Sequence, residues 1–156
     1  MHEMKSLGLE EAQTVIAAVL EHQKACGHRG IAVVVVDKPG EIIAGLRTTG
    51  MSARYFKAAQ RKAYTAAVME RDTSAVMDFW NSQQSQGMRG PSDWNDGMLT
   101  SLHGGICVVF AGEVVGGIGI AGGAGGGESP TSDWGFAEAG LRALGEGFAR
   151  RRTRGG

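Results

Sequence analysis

Between residues 87 and 103 the chain gathers an aromatic ring, carboxylates and an imidazole: Asp93-Trp94-Asn95-Asp96-Gly97-Met98, followed by His103-Gly104-Gly105. An imidazole titrates close to physiological pH and binds metals when neutral, so His103 suits a general acid/base or a metal ligand, with Asp96 or Asp93 as its partner. Gly104 and Gly105 carry no side chains, which would let a ligand approach the backbone. A histidine that merely caps a strand is the plainer alternative. Cys107 lies four residues beyond His103, and on a strand the two would share a face; otherwise Cys107 is an inert core residue. Lys62 belongs to a helical face with positions 55, 59, 63 and 66, made otherwise of Tyr and Ala. A buried ammonium there needs a partner, so Lys62 either reaches solvent, enters an ion pair, or holds the carboxylate of a ligand.

Other candidates have weaker chemistry. Asp37 stands at the Asp37-Lys38-Pro39-Gly40 turn, where an aspartate accepts from backbone amides two residues on; a general base is the alternative. Gly117-Ile118-Gly119-Ile120-Ala121-Gly122 fits the dinucleotide pattern GxGxxG, but it sits within a hairpin strand and no helix follows directly. Close approach of another element or a ligand explains these glycines better. His22 and His28 flank the end of the first helix, six positions apart, and read as solvated. No Ser-His-Asp order, HExxH or P-loop is present.

The elements that must position these residues alternate between helices and paired strands. Helical periodicity runs from Leu9 to Cys26, and the β-branched run 31–36 turns through Lys38-Pro39-Gly40 into a second strand ending at Leu46. Ser52 is placed to cap a helix reaching about Glu70, and Thr73 or Ser74 to cap another ending near Gln86, where Phe79 and Trp80 seal it to the core. Residues 87–99 lose all periodicity, a loop of roughly 13 residues and of a length that favours function. A second hairpin, 106–110 and 113–120, turns at Ala111-Gly112 and opens into the glycines 122–127. The last helix starts near Thr131 to Asp133 and carries a stripe of Trp134, Ala137, Leu141, Leu144 and Phe148. The order α, ββ, αα, ββ, α predicts an α+β fold, an antiparallel sheet with helices packed on it. One domain over 1–149 and a fraying basic tail over 150–156 are expected.

Sixteen Lys and Arg balance sixteen Asp and Glu, which provides no overall field for nucleic acid or anionic membranes. Two cysteines in separate segments argue against a disulfide framework or zinc site, and a reducing cytoplasm is the expected compartment. The chain lacks a run of about 18 apolar residues, so no membrane span is expected.

Six further pieces occur in order: Val35-Val36-Asp37; Ile43-Ala44 with Arg47; Lys62-Ala63-Tyr64-Thr65-Ala66 followed by Thr73-Ser74; Gly104-Gly105-Ile106; the run 112–122, Gly-Glu-Val-Val-Gly-Gly-Ile-Gly-Ile-Ala-Gly; and Ala137-Glu138-Ala139-Gly140-Leu141. In this order and spacing the sequence resembles the GlcG/HbpS family, the haem-degrading DUF336 domain, similar to the C-terminal domain of PduO-type proteins. It departs from the family's pattern at Arg47-Thr48-Thr49-Gly50-Met51, where many members carry R-M-D-G-A and the acid is lost here. It departs again in the polar, aromatic stretch before Gly104.

The resemblance implies a profilin-like or PAS-like fold, homo-oligomers, and in some members a haem or related tetrapyrrole ligand. The expected function is therefore binding of haem or a similarly sized flat metabolite where the 87–103 loop, the second helix and the glycine-rich strand meet. Lys62, Arg47, Trp94, Tyr55, Gly104 and Gly105 would line the site, with His103 on any metal; Tyr55 and Tyr64 are haem ligands by type. The alternative is an enzyme without an organic cofactor, an isomerase, cyclase or lyase acting on a small aromatic or keto metabolite. His103 with Asp96 would then supply acid/base catalysis.

Overall fold

A strand buried on both faces needs apolar residues at every position, and β1 (Ala32–Asp37), AVVVVD, is buried along all but its last residue. The computed structural model describes residues 1–124 and 127–151. Its elements are α1 (Leu9–Ala25), β1, β2 (Ile42–Arg47), α2 (Ala53–Val68), α3 (Val76–Ser85), α4 (Pro91–Trp94), β3 (Gly105–Phe110), β4 (Glu113–Ala121), α5 (Asp133–Ala143) and β5 (Phe148–Arg150). The strands form one antiparallel sheet in the order β2-β1-β4-β3-β5. The expected α+β architecture is the observed one, with α4 and β5 added.

Alternation along the central strands assigns the two faces. Val33 and Val35 of β1 and Ile118 and Ile120 of β4 enter a core with Val15 and Val19 of α1 and Phe136 and Leu141 of α5. Ala32, Val34 and Val36 face the other way, onto Ala59, Ala63 and Ala67 of α2. On that side β4 presents Gly117 and Gly119, and α2 lies almost on the strand. A Cβ on Gly119 would come 1.9 Å from the Ala59 carbonyl oxygen, and one on Gly117 would come 2.4 Å from that of Ala63. Another element, α2, is what approaches these glycines.

Local turn chemistry sets the hairpins. The Asp37 carboxylate accepts from the Glu41 amide at 2.9 Å and its carbonyl from Gly40 at 3.0 Å, so Asp37 is a turn residue. Ala111 and Gly112 both have positive φ, 51° and 81°, the primed turn that joins twisted strands tightly. Ser132 caps α5, its side chain accepting from the Gly135 amide.

Several boundaries differ from expectation. Ser52 occupies the N-cap of α2 without a side-chain cap bond, and α2 stops at Val68. Thr73 opens a short 3-10 turn, and its hydroxyl accepts from the Gly105 amide instead of capping α3. The terminal helix ends at Ala143, because Gly145 and Gly147 take positive φ and turn the chain, so Phe148 joins β5 rather than the helical stripe. Arg150 pairs in the sheet with Val108 and Arg151 donates its amide to the Cys107 carbonyl, so these two residues do not fray. Residues 152–156 of the expected tail, and 125–126 of the glycine segment, lie outside the described residues. Among those described, no helix is long and apolar enough to cross a membrane.

Candidate functional site

The residues singled out by sequence fall in three separate places along α2. The first surrounds its midpoint. Lys62 is 4% exposed, and its Nζ donates to the Ile120 carbonyl at 2.7 Å and to Asp133 Oδ2 at 2.8 Å. Asp133 Oδ1 accepts from the Gly123 amide, so this pair joins α2, β4 and α5. A Cβ on Gly104 would meet Asp133 Cβ at 2.7 Å and Lys62 Nζ at 3.1 Å, and one on Gly105 would meet the Lys62 carbonyl oxygen at 2.4 Å. These glycines thus admit protein atoms, not open space. His103 is exposed on the bend before β3 and makes no hydrogen bond or ion pair among the described residues; it does not face a desolvated cavity. Because β3 begins at Gly105, His103 does not share a strand face with Cys107. Cys107 is fully buried, and burial pushes its thiol up to about 12, which leaves it unreactive at neutral pH.

The second place holds the carboxylate and the aromatic ring. Tyr64 donates to Asp96 Oδ2 at 2.6 Å, and Asp96 Oδ1 accepts from the Met98 amide. Asp96 therefore anchors its loop to α2 and is not paired with His103. Trp94 ends the short α4, is 46% exposed, and meets Phe79 edge-on at 6.0 Å.

The third place is a cleft of about 380 Å³ at the start of α2, lined by Arg29, Thr49, Met51, Ser52, Arg54 and Tyr55. Arg47 borders it, donating to the Met51 carbonyl at 2.6 Å. Met51 is 8% exposed and wedged in place, since a Cβ on Gly30 would lie 2.8 Å from its Sδ and one on Gly122 2.4 Å from its Cε. The Arg54 guanidinium stacks over the Tyr55 ring, 4.7 Å from its centroid, and donates to the phenolic oxygen at 3.0 Å. Arg29 and Arg54 are exposed and, among the described residues, neither is paired with a carboxylate. Sequence reasoning found Tyr55 and Arg47 here but passed over Arg29, Arg54 and Met51. The signal available for Arg54 was α2 itself, ARYFKAAQRKAYTAAV, which carries four cations and no acid; Arg29 and Met51 lie outside that helix.

A larger cavity of about 560 Å³ lies on the other side of the sheet, against His22, Trp134, Glu138, Arg142 and Arg150. Its Arg150 guanidinium is engaged by Asp72 at 2.9 Å and Glu138 at 2.7 Å, and it stacks on Trp134 at 3.6 Å. That guanidinium is already engaged, which leaves Arg142 as the cation of this wall without a carboxylate partner among the described residues. His22, on this wall, and His28, outside it, are half-buried, not simply solvated: their Nε2 atoms donate to the Pro130 and Gly122 carbonyls, both at 2.8 Å, and both rings pack on Phe136.

Over residues 7–142 the chain matches a family model described as haem degrading protein HbpS-like. Protein GlcG of Escherichia coli K12 is 28% identical over 115 residues, 74% of this chain and 81% of that protein. A double mutant of HbpS from Streptomyces reticuli is 30% identical, with a TM-score of 0.73 over 94% of this chain and 92% of its own. A PduOC:heme complex superposes with a TM-score of 0.75 at 22% identity, covering 94% of this chain and 99% of that one.

Proposed function

The chain belongs to the haem degrading HbpS-like family, and from that premise we propose that it binds haem or a similarly sized flat tetrapyrrole in the cleft at the start of α2. One observation carries the reading: the cleft brings an aromatic ring, Tyr55, together with the uncompensated guanidiniums of Arg29 and Arg54. A flat macrocycle bearing carboxylates needs an apolar or aromatic wall for its face and cations for its acidic edge. The volume of about 380 Å³ falls at the lower end of small-molecule sites, which suits one edge of a macrocycle and leaves the rest open to solvent. That a relative is known as a heme complex supports the same class of ligand.

Haemin titrated into the purified protein and followed by absorbance and tryptophan quenching should saturate at one equivalent per chain. Tyr55→Ala should weaken binding about tenfold, the size expected for one lost aromatic contact. His103→Ala, an exposed residue outside the cleft, should leave it unchanged. A wild-type protein that takes up no haemin would falsify the assignment.

A further inference from the structure

Resting on that reading, we infer that the cleft at the start of α2 recognises the carboxylates of its ligand and not the metal, so its ligand class is the tetrapyrrole dicarboxylates, metal-free ones included. The donors on the wall decide this. No histidine or cysteine is among the residues lining the cleft. Met51 has a sulfur that could meet iron, but its side chain is held against Gly30 and Gly122 and is 8% exposed. The phenolic oxygen of Tyr55 already accepts from Arg54. The Arg29 and Arg54 guanidiniums, by contrast, are exposed, carry full charge, and have no carboxylate partner among the described residues. Two such forks on one cleft match two carboxylates on one edge of a macrocycle, and a guanidinium binds a carboxylate with two parallel hydrogen bonds. The first turn of α2 reinforces the preference, having no acidic residue and no side-chain cap to neutralise its amide end.

The test uses the full chain and three ligands: haemin, metal-free protoporphyrin IX and the protoporphyrin dimethyl ester. Metal-free protoporphyrin should bind within about threefold of haemin, and the ester about ten- to a hundredfold more weakly, as the loss of charge-assisted hydrogen bonds dictates. Arg29→Gln and Arg54→Gln should each cost the free acid a similar factor and leave the ester unaffected. Both positions are exposed, so the variants keep the fold, checked by thermal melting. Lys57→Gln, a cation on the same helix outside the cleft, should change nothing. Haemin bound tightly while metal-free protoporphyrin is ignored, an ester bound as well as the acid, or a Lys57→Gln loss equal to that of Arg54→Gln would each overturn the inference while the haem-binding reading stands. Wild-type protein that takes up neither macrocycle overturns that reading and the inference with it.

Discussion

At the scale of single residues, the hydrogen bond from Tyr64 to Asp96 is the most exposed to a direct test. That bond, more than burial, raises the Tyr64 phenol from 10.0 to about 12. The native state therefore holds this proton more tightly than the unfolded chain. The resulting stabilisation is complete below pH 10 and is lost as pH rises from 10 towards 12. Asp96→Asn should return the late phenol absorbance transition towards 10 and flatten the fall in denaturant stability across that window. If no phenol of the wild-type protein titrates above about 10, the bond does not carry this weight. Asp96, so engaged, ties the loop after α4 to α2.

Among the elements, the seating of α2 on β4 is the contact that places both Tyr55 and Lys62. Helix backbone can approach a strand this closely because the strand offers Gly117 and Gly119 and the helix offers alanines. Gly119→Ala would put a methyl group 1.9 Å from the Ala59 carbonyl oxygen, where no flexible side chain can yield. The expected cost is about 3 kcal/mol or more. Gly112 at the hairpin turn, unlike Gly119, has positive φ, 81°, and a Cβ there meets nothing within 4 Å, so Gly112→Ala is the comparison. It should cost only the left-handed backbone penalty of about 1 to 2 kcal/mol. Chemical denaturation of the two variants compares them directly, and equal losses would mean that the helix does not rest on the strand.

For the whole molecule, a formal net charge of zero conceals a division between the layers. One side of the sheet carries α2, with Arg54, Lys57 and Arg61 exposed and no acid, while α1 on the other side opens with Glu10 and Glu11. A homo-oligomer is expected from the family resemblance, but neither the glycine-rich strand nor the apolar stripe of the last helix supplies its interface. The glycine-rich strand is internal to the sheet, and the apolar stripe of α5 is packed into the core shared with α1. The free edges belong to β2 and the short β5. Light scattering at micromolar concentration should give a native mass above the 16.3 kDa of one chain, and a clean monomer would refute it.

The sequence by itself determined the features that depend on a few neighbouring residues. Asp37-Lys38-Pro39-Gly40 and Ala111-Gly112 specify turns through side-chain acceptance and positive φ, and the run 32–36 specifies a strand that must be covered on both sides. Six motifs in order were enough to suggest the family. The tertiary structure decided what depends on strand order and layer packing. It chose the ion pair among the alternatives for Lys62, because Asp133, 71 positions away, comes to rest beside Ile120 of β4. It moved Asp96 to Tyr64 and brought Arg29, from the segment before β1, beside Arg54 and Tyr55. Turn preferences and hydrophobic periods act within one or two turns of chain, so they are written locally. Which distant side chains meet follows from β4 lying against β1 and from α2 settling on its glycines, and no local spacing encodes that.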